Sequence, residues 1–219
     1  MMKYIAIFSF TVLTLCQSCA QGTSTKKEKK TGTKMETNLP GTLDTATIGG
    51  GCFWCTEAIY QRLNGVVSVA SGYSGGKIKN PTYKEVCSGL TGHAEVIQIV
   101  FDTTKISFTE ILEVFMKTHD PTTLNRQGAD EGTQYRSVIF YNSPEQKATA
   151  ESVIKELDAA GAFNSKITTE VSPLEKFYIA EDYHQDYYNQ NKNSNSYCSF
   201  VIVPKIEKFE KVFKDKLKK

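Results

Sequence analysis

Long apolar runs are scarce in this sequence of 219 residues. The longest stretch with few polar residues, residues 4–15, is too short to span a bilayer stably. No internal repeat is apparent, and the His, Cys and acidic residues show no recognisable metal-ligand spacing. Hydrophobic residues make up 40% and charged residues 23% of the chain, which indicates one globular domain with short tails.

The body of the chain also lacks an excess of positive charge. The net charge is +2, but the two lysine-rich ends, residues 20–40 and residues 205–219, carry more positive charge than this total. The remainder is therefore negative and would repel a phosphate backbone. This distribution argues against nucleic acid as the main partner.

The N-terminus has the pattern of a bacterial secretion signal. Lys3 precedes the apolar run, which ends at Leu15-Cys16-Gln17-Ser18-Cys19. The junction resembles a lipoprotein box, in which a small residue precedes the lipidated Cys, and Ser18-Cys19 fits better than Leu15-Cys16. We expect residues 1–18 to be the signal and Cys19 to carry a lipid anchor. The protein would then be exported and held on the periplasmic or cell-surface side of a bacterial membrane, with a plain cleaved signal peptide as the alternative.

A flexible tether is predicted for residues 19–40. Gln21 to Pro40 contains no aromatic residue and is rich in Thr, Lys and Gly. Such a segment cannot bury enough surface to offset the entropy of ordering it. We therefore expect the folded domain to comprise residues 41–219.

Apolar periodicity predicts both helices and strands in this domain. Apolar residues recur at helical spacing over 108–115 and over 150–157, and the second helix has a capping box of Ser143 and Gln146 and is followed by Gly161. Residues 205–217 have one apolar side and are expected to form a helix docked on the body. Strands are predicted at 46–48, 66–70, 95–101, 137–141 and 168–171. The mixture implies an α+β or α/β sandwich.

The segment Gly49-Gly50-Gly51-Cys52-Phe53-Trp54-Cys55 carries the first indication of chemistry. A strand ends in three glycines and a helix then begins, so Cys52 should lie at the helix N-terminus. The partial positive charge there favours the reactive thiolate. A buried structural cysteine is the alternative, and Phe53 and Trp54 either pack in the core or form an apolar pocket beside the nucleophile.

An acid at the start of a strand is the second candidate. His93 and Glu95 precede an apolar run and should point to one face of an extended strand. A partly desolvated Glu95 would have a raised pKa and remain protonated as a proton donor. An exposed acid is the alternative, and a metal site of Cys52, His93 and Glu95 is disfavoured.

These and several further motifs resemble the A-type peptide methionine sulfoxide reductases. The resemblance covers roughly residues 45 to 208, and its motifs occur in family order. They are Gly51-Cys52-Phe53-Trp54, residues 87–95 (CSGLTGHAE), His119-Asp120-Pro121-Thr122, residues 125–137 (NRQGADEGTQYRS), Tyr183-His184-Gln185 and Tyr197-Cys198. The resemblance implies an α/β fold, a two-layer α/β plait of ferredoxin-like type with a long irregular C-terminal segment. It also implies reduction of the S-epimer of methionine sulfoxide, free or in proteins, without a cofactor.

The resemblance also implies a role for each matching residue. Cys52 would be the nucleophile and would become a sulfenic acid, while Glu95 would protonate the sulfoxide oxygen. A second thiol would then form a disulfide with Cys52, and a thioredoxin-like donor would reduce it. The other implied site residues are Phe53 and Trp54, which would hold the substrate methyl group, and Tyr83, Tyr135 and Asp130, which would form the polar side of the pocket.

The identity of the second thiol stays open between two residues. The resemblance favours Cys198, whereas Cys55 forms a Cys-x-x-Cys pair with Cys52 at the helix start. That pair also leaves a thiol-disulfide oxidoreductase as a rival function, and a non-catalytic surface lipoprotein is a second rival. Cys87 is expected to be a buried thiol, and the protein is expected to be a monomer.

Overall fold

The computed structural model describes residues 42–219. The predicted signal, Cys19 and the predicted tether lie outside the described residues, so they stay predictions. The strands are β1 (Leu43–Gly50), β2 (Val66–Ser74), β3 (Ala94–Asp102), β4 (Arg126–Gln127), β5 (Asp130–Glu131), β6 (Ser137–Tyr141), β7 (Glu170–Pro173) and β8 (Tyr178–Ile179). The α-helices are α1 (Phe53–Tyr60), α2 (Tyr83–Cys87), α3 (Phe108–Thr118), α4 (Pro144–Ala159), α5 (Tyr187–Asn191) and α6 (Val203–Val212).

Six of the strands form one sheet in the order β7-β6-β1-β3-β2-β8. The four central strands pair antiparallel with one another, β8 pairs antiparallel with β2, and β7 is parallel to β6. Helix α1 follows β1 and helix α3 follows β3, so the central strands and these helices have the ferredoxin-like order. The expected two-layer α/β plait is confirmed.

The two faces of the sheet are covered differently because side chains alternate along each strand. Ile97, Ile99 and Ile139 face the large core shared with the helices. Val96 and Phe140 belong to a smaller cluster on the other face, which Leu174 and Phe177 cover. Because both faces of the sheet are buried against apolar side chains, its strands contain few charged residues.

Two of the predicted helices have clear end signals in the structure. Ser107 accepts a hydrogen bond from the N–H of Glu110, whose carboxylate bonds back, so α3 begins with a full capping box. Helix α4 begins with half of the expected box. Ser143 accepts from the N–H of Gln146, but the Gln146 side chain accepts from the N–H of Asn142 instead of returning to Ser143.

The C-terminal segment after β7 is long and irregular, as expected. It contains β8, a short 3₁₀ turn at Asp182–His184, α5, a π-helical turn at Cys198–Ile202 and α6. The predicted helix over 205–217 is corrected: α6 begins at Val203 and ends at Val212, because Phe213 leaves the helical conformation. The predicted apolar side nevertheless packs on the core through residues 206, 209 and 213. Within residues 42–219, no helix is long and apolar enough to cross a membrane.

Candidate active site

The glycine-rich end of β1 brings Cys52 to the N-terminus of α1. Cys52 is the cap residue, and its carbonyl oxygen accepts from the N–H of Cys55 at 3.1 Å. Gly51 has a φ of +94°, and a Cβ there would lie 2.6 Å from Cγ of Gln127. Only glycine accommodates both the left-handed backbone and the close approach. Gly51 therefore allows the loop before Cys52 to pack closely against Gln127.

Cys52 and Cys55 form a buried pair of thiols. Both are free, and they are 6% and 2% exposed. Burial raises the pKa of Cys52 well above its usual value, and contact with Cys55 raises it further. The hydrogen bond from Cys52, together with the nearby charge of Lys205, lowers the pKa of Cys55 to about 7. The two thiols are therefore coupled, so that ionisation of one depends on the proton of the other, and the expectation of a thiolate on Cys52 stays a prediction.

Glu95 lies against the first turn of α1. Its Oε2 accepts from the backbone N–H of Phe53 at 3.1 Å, and the residue is 1% exposed. Burial raises the pKa of its carboxyl group to about 8, although the Phe53 hydrogen bond partly opposes this. The alternative of an exposed acid at residue 95 is therefore excluded. At neutral pH Glu95 is a protonated carboxylic acid beside two sulfur atoms.

Aromatic rings line the site beside this acid. Phe53 is stacked at 6.4 Å from Tyr83 and lies 5.0 Å from the ring of His184. Trp54 donates from Nε1 to Nδ1 of His184 at 3.0 Å. Its indole stacks on Tyr187 with the ring centroids 3.7 Å apart. The rings of Phe53 and Trp54 therefore form an apolar wall. Tyr83 and His184 hold the Phe53 ring, and His184 and Tyr187 hold the indole of Trp54.

Three polar residues to which the resemblance assigns a role, Tyr83, Tyr135 and Asp130, lie within electrostatic range of Glu95. Burial raises the pKa values of Tyr83 and Tyr135, and the charge of Glu95 adds to both shifts. Both hydroxyl groups are thus protonated and lie within electrostatic range of the acid. Asp130 follows the tight turn between β4 and β5, and its Oδ2 accepts from the hydroxyl of Tyr197 at 2.8 Å.

The C-terminal segment contributes site residues that received no role from the sequence. His184, Tyr187 and Tyr197 all contact the ring of Trp54. Two of them occur in motifs that carry the family resemblance, Tyr183-His184-Gln185 and Tyr197-Cys198. Those motifs were the signal that these residues belong to the site.

The two remaining described thiols differ from each other. Cys198 is 0% exposed in the main core, and burial and the charge of Cys55 raise its pKa. The groups that shift the pKa of Cys52 include Cys55, Glu95 and Tyr197. The expectation that Cys87 is buried is wrong, because α2 ends at this residue and leaves its side chain exposed.

His93 stabilises a loop instead of joining the site. Its Nδ1 accepts from the N–H of Gly76 at 3.0 Å, and its Nε2 bonds to the carbonyl oxygen of Ile78 at 2.8 Å. Both ring nitrogens are thereby occupied. In the part of the chain that the structure describes, no group of three or more His, Cys, Asp and Glu is arranged to hold a metal ion.

Known proteins that are similar to this chain belong to one family. The family model for peptide methionine sulfoxide reductase matches residues 44–217. The peptide methionine sulfoxide reductase MsrA of Saccharolobus solfataricus is 57% identical over 176 residues, which cover 80% of this chain and 98% of the relative. The chain belongs to the peptide methionine sulfoxide reductase family. MsrA 1 of Rhodopirellula baltica is 54% identical over 175 residues, covering 80% of this chain and 90% of that protein.

Solved structures of reductases of this family share the fold. Reduced Mxr1 from Saccharomyces cerevisiae has a TM-score of 0.66 and 34% identity, with coverage of 72% of this chain and 91% of Mxr1. Methionine sulfoxide reductase A of Corynebacterium diphtheriae has a TM-score of 0.63 and 39% identity, with coverage of 70% and 77%. The protein is therefore an oxidoreductase that reduces methionine sulfoxide with thiols, as the resemblance implied. Membership of an enzyme family argues against the rival function of a non-catalytic surface lipoprotein.

Proposed function

We propose that Cys52 attacks the sulfur of methionine S-sulfoxide while Glu95 protonates its oxygen. The oxygen passes from the substrate sulfur to Cys52, which yields methionine and a Cys52 sulfenic acid. The observation that carries the proposal is a buried carboxyl group with a pKa of about 8 at the helix turn that begins with Cys52. A thiol and a proton donor can thus act on one sulfoxide from two sides.

The same proposal assigns the rest of the pocket. The apolar wall of Phe53 and Trp54 suits the methyl group on the substrate sulfur. Tyr83 and Tyr135 retain their protons and can donate hydrogen bonds to the sulfoxide oxygen, and Asp130 completes the polar side. A pocket with an apolar wall opposite hydrogen-bond donors would accept the S-epimer with its oxygen at the donors. The R-epimer would place its oxygen against the aromatic rings. Assaying each epimer separately tests this selectivity, and equal rates would contradict it.

The second thiol has two candidates with different support. Cys198 is supported by the family resemblance, and its buried thiol lies within electrostatic range of Cys55. Cys55 is supported by direct contact with Cys52 and by a pKa of about 7, which supplies a thiolate at neutral pH. We propose that Cys55 attacks the Cys52 sulfenic acid, releasing water and forming the disulfide. A thioredoxin-like dithiol protein then reduces this disulfide.

Single substitutions separate the two candidates. Cys55→Ser should still reduce about one equivalent of sulfoxide per enzyme, because attack by Cys52 needs no second thiol. Its turnover with thioredoxin should fall sharply, whereas Cys198→Ser should turn over nearly like the parent. The opposite pattern would transfer the role to Cys198. Peptide mapping after one turnover without reductant is an independent check, since the cross-link must join Cys52 to Cys55 on this proposal.

We also propose that the enzyme is exported and lipid-anchored at Cys19. The support is the apolar run of residues 4–15 followed by the Ser18-Cys19 junction. Cys19→Ala should release the protein from the membrane fraction without changing its specific activity. Unchanged membrane association would contradict lipidation at Cys19, and Cys16→Ala serves as the matched variant for the less favourable junction.

A further inference from the structure

Tyr197 places a hydroxyl group between the thiol pair and a carboxylate. Its Oη donates to Oδ2 of Asp130 at 2.8 Å and lies 3.8 Å from Sγ of Cys55. The same hydroxyl also acts on the Cys52 thiol, because it opposes the rise in the pKa of that thiol. Because the hydroxyl proton is directed at Asp130, the oxygen is free to accept a proton from sulfur. Thiol, phenol and carboxylate therefore form one continuous hydrogen-bonded chain.

Contacts of the Tyr197 backbone and ring fix the position of this hydroxyl group. The backbone N–H of Tyr197 donates to Oδ1 of Asn195 at 2.8 Å, and Nδ2 of Asn195 donates to the hydroxyl of Tyr187 at 2.7 Å. Tyr187 in turn stacks on Trp54, and the ring of Tyr197 contacts the same indole edge-on at 5.9 Å. The ring is thus held by contacts that do not involve its hydroxyl, so the oxygen can be removed without removing its support.

We propose that Tyr197 and Asp130 form a proton relay that ionises the Cys52–Cys55 pair. A proton moves from the thiol pair to Oη of Tyr197 as the phenolic proton moves to Oδ2 of Asp130, which leaves a thiolate, a neutral phenol and a carboxylic acid. This inference rests on the proposed function of Cys52 and Cys55. It adds a route by which the thiol pair loses a proton, which the reduction step itself does not provide. It also gives Asp130 a function beyond forming the polar side of the pocket.

The two transfers must be concerted. Burial and the nearby sulfur charges raise the pKa of Tyr197, so a free phenolate is not an accessible intermediate. The charge on the pair also depends on its other titratable neighbours. Apart from Tyr197 and Asp130, these are Glu95 from β3, Tyr135 from the 3₁₀ turn before β6, Cys198 from the π-helical turn and Lys205 from α6.

The test measures thiol ionisation in the absence of any sulfoxide. The rate at which iodoacetamide alkylates Cys52 and Cys55 is followed as a function of pH, with each thiol resolved by peptide mapping. Tyr197→Phe should raise the midpoint of this profile by about one to two pH units, the effect of losing a hydrogen bond to a charged acceptor. Asp130→Asn removes the proton acceptor but also a negative charge that raises the pKa of Cys55, so on the relay its midpoint should rise by less than that of Tyr197→Phe, and a lowered midpoint would overturn the relay. The double variant should shift it no further, because both residues act in one relay.

Controls separate the relay from a packing effect. Tyr141→Phe removes a hydroxyl at the far end of β6 and should leave the midpoint unchanged. An unchanged midpoint in folded Tyr197→Phe, additive shifts in the double variant, or an equal shift in Tyr141→Phe would each overturn the relay. Loss of sulfoxide reduction in Cys52→Ser tests the proposed nucleophile separately, so failure of one proposal is distinguishable from failure of the other.

Discussion

Replacing Glu95 with Gln should slow catalysis and stabilise the fold at neutral pH. The amide oxygen of Gln can still accept from the N–H of Phe53, but the side chain cannot give a proton to the sulfoxide oxygen. Loss of a general acid lowers the chemical step by on the order of 10² to 10⁴. Rapid-quench measurement of methionine formed in a single turnover at pH 7 reports this step. In the parent the rate should fall above about pH 8 as Glu95 loses its proton, and this decline should be absent in Glu95→Gln.

The effect on stability follows from the difference between the folded and unfolded pKa values. The carboxyl pKa rises from 4.5 to about 8 on folding. A group with a raised folded pKa stabilises the protein fully below its unfolded pKa, and this stabilisation is lost as the pH rises towards the folded pKa. At about 1.36 kcal/mol per pH unit, the parent loses roughly 3 kcal/mol between pH 4.5 and pH 7. Glu95→Gln has no such loss, so its Tm relative to the parent should rise by roughly 6 to 12 °C over this interval.

Thermal unfolding at pH 4.5 and pH 7 checks this expectation. Glu175→Gln is the matched control, because Glu175 is exposed and the same chemical change there should not alter the Tm difference with pH. Two outcomes would refute the reasoning. An unimpaired single-turnover rate in Glu95→Gln would remove Glu95 from the mechanism. A Tm difference that is independent of pH would show that the carboxyl group is not desolvated in the folded protein.

Two further substitutions test the packing around the site. Gly50→Ala should destabilise the fold by about 1–3 kcal/mol, because its Cβ would lie 2.8 Å from Cε2 of Phe115; denaturant unfolding indistinguishable from the parent would contradict this close approach. Glu57→Ala should accelerate amide hydrogen exchange over residues 186–200 while β3 stays protected, because the Glu57 carboxylate accepts from the N–H groups of Asp186 and Tyr187 at 3.0 and 3.4 Å. Unchanged exchange there would show that this carboxylate does not hold the C-terminal segment.

Elements with local end signals could be predicted closely from the sequence. Strand β6 has the predicted bounds, and α4 begins after Ser143 with Pro144 in its first turn. Gly161 follows the helix with a φ of +59°. These residues fix local conformation by themselves, so no tertiary information was needed.

Short elements escaped prediction because tertiary contacts create them. Strand β8 has only two residues and exists through pairing with Gly72 and Tyr73 of β2. Helix α5 has five residues and begins with Asp186 in the left-handed conformation, which Glu57 stabilises from a position 129 residues earlier. No local pattern specifies such partners.

The desolvation of Glu95 could be predicted from the sequence, whereas the electrostatics of the thiol pair could not. The identity of the acid and its raised pKa follow from a carboxyl group beside an apolar strand. The location of the thiol charge does not, because it depends on which sulfur donates to the other and on Lys205 and Tyr197 from the distant C-terminal segment. Helix position alone therefore predicts a thiolate on Cys52 but not the coupling of that thiol to Cys55.

Strand β1 connects the point where the chain enters the domain with the loop that carries Cys52. These two ends are the poles of the strand. The chain enters β1 at Leu43 and leaves it at Gly50, two residues before Cys52, and the strand lies in the middle of the sheet. At about 3.3 Å per residue, the ends of β1 are roughly 23 Å apart. A surface that held the preceding residues would meet the pole at Leu43, whereas an oxidised protein must reach the pole at Cys52. The direction of one central strand thus separates the point where the chain enters the domain from the thiol that meets the substrate.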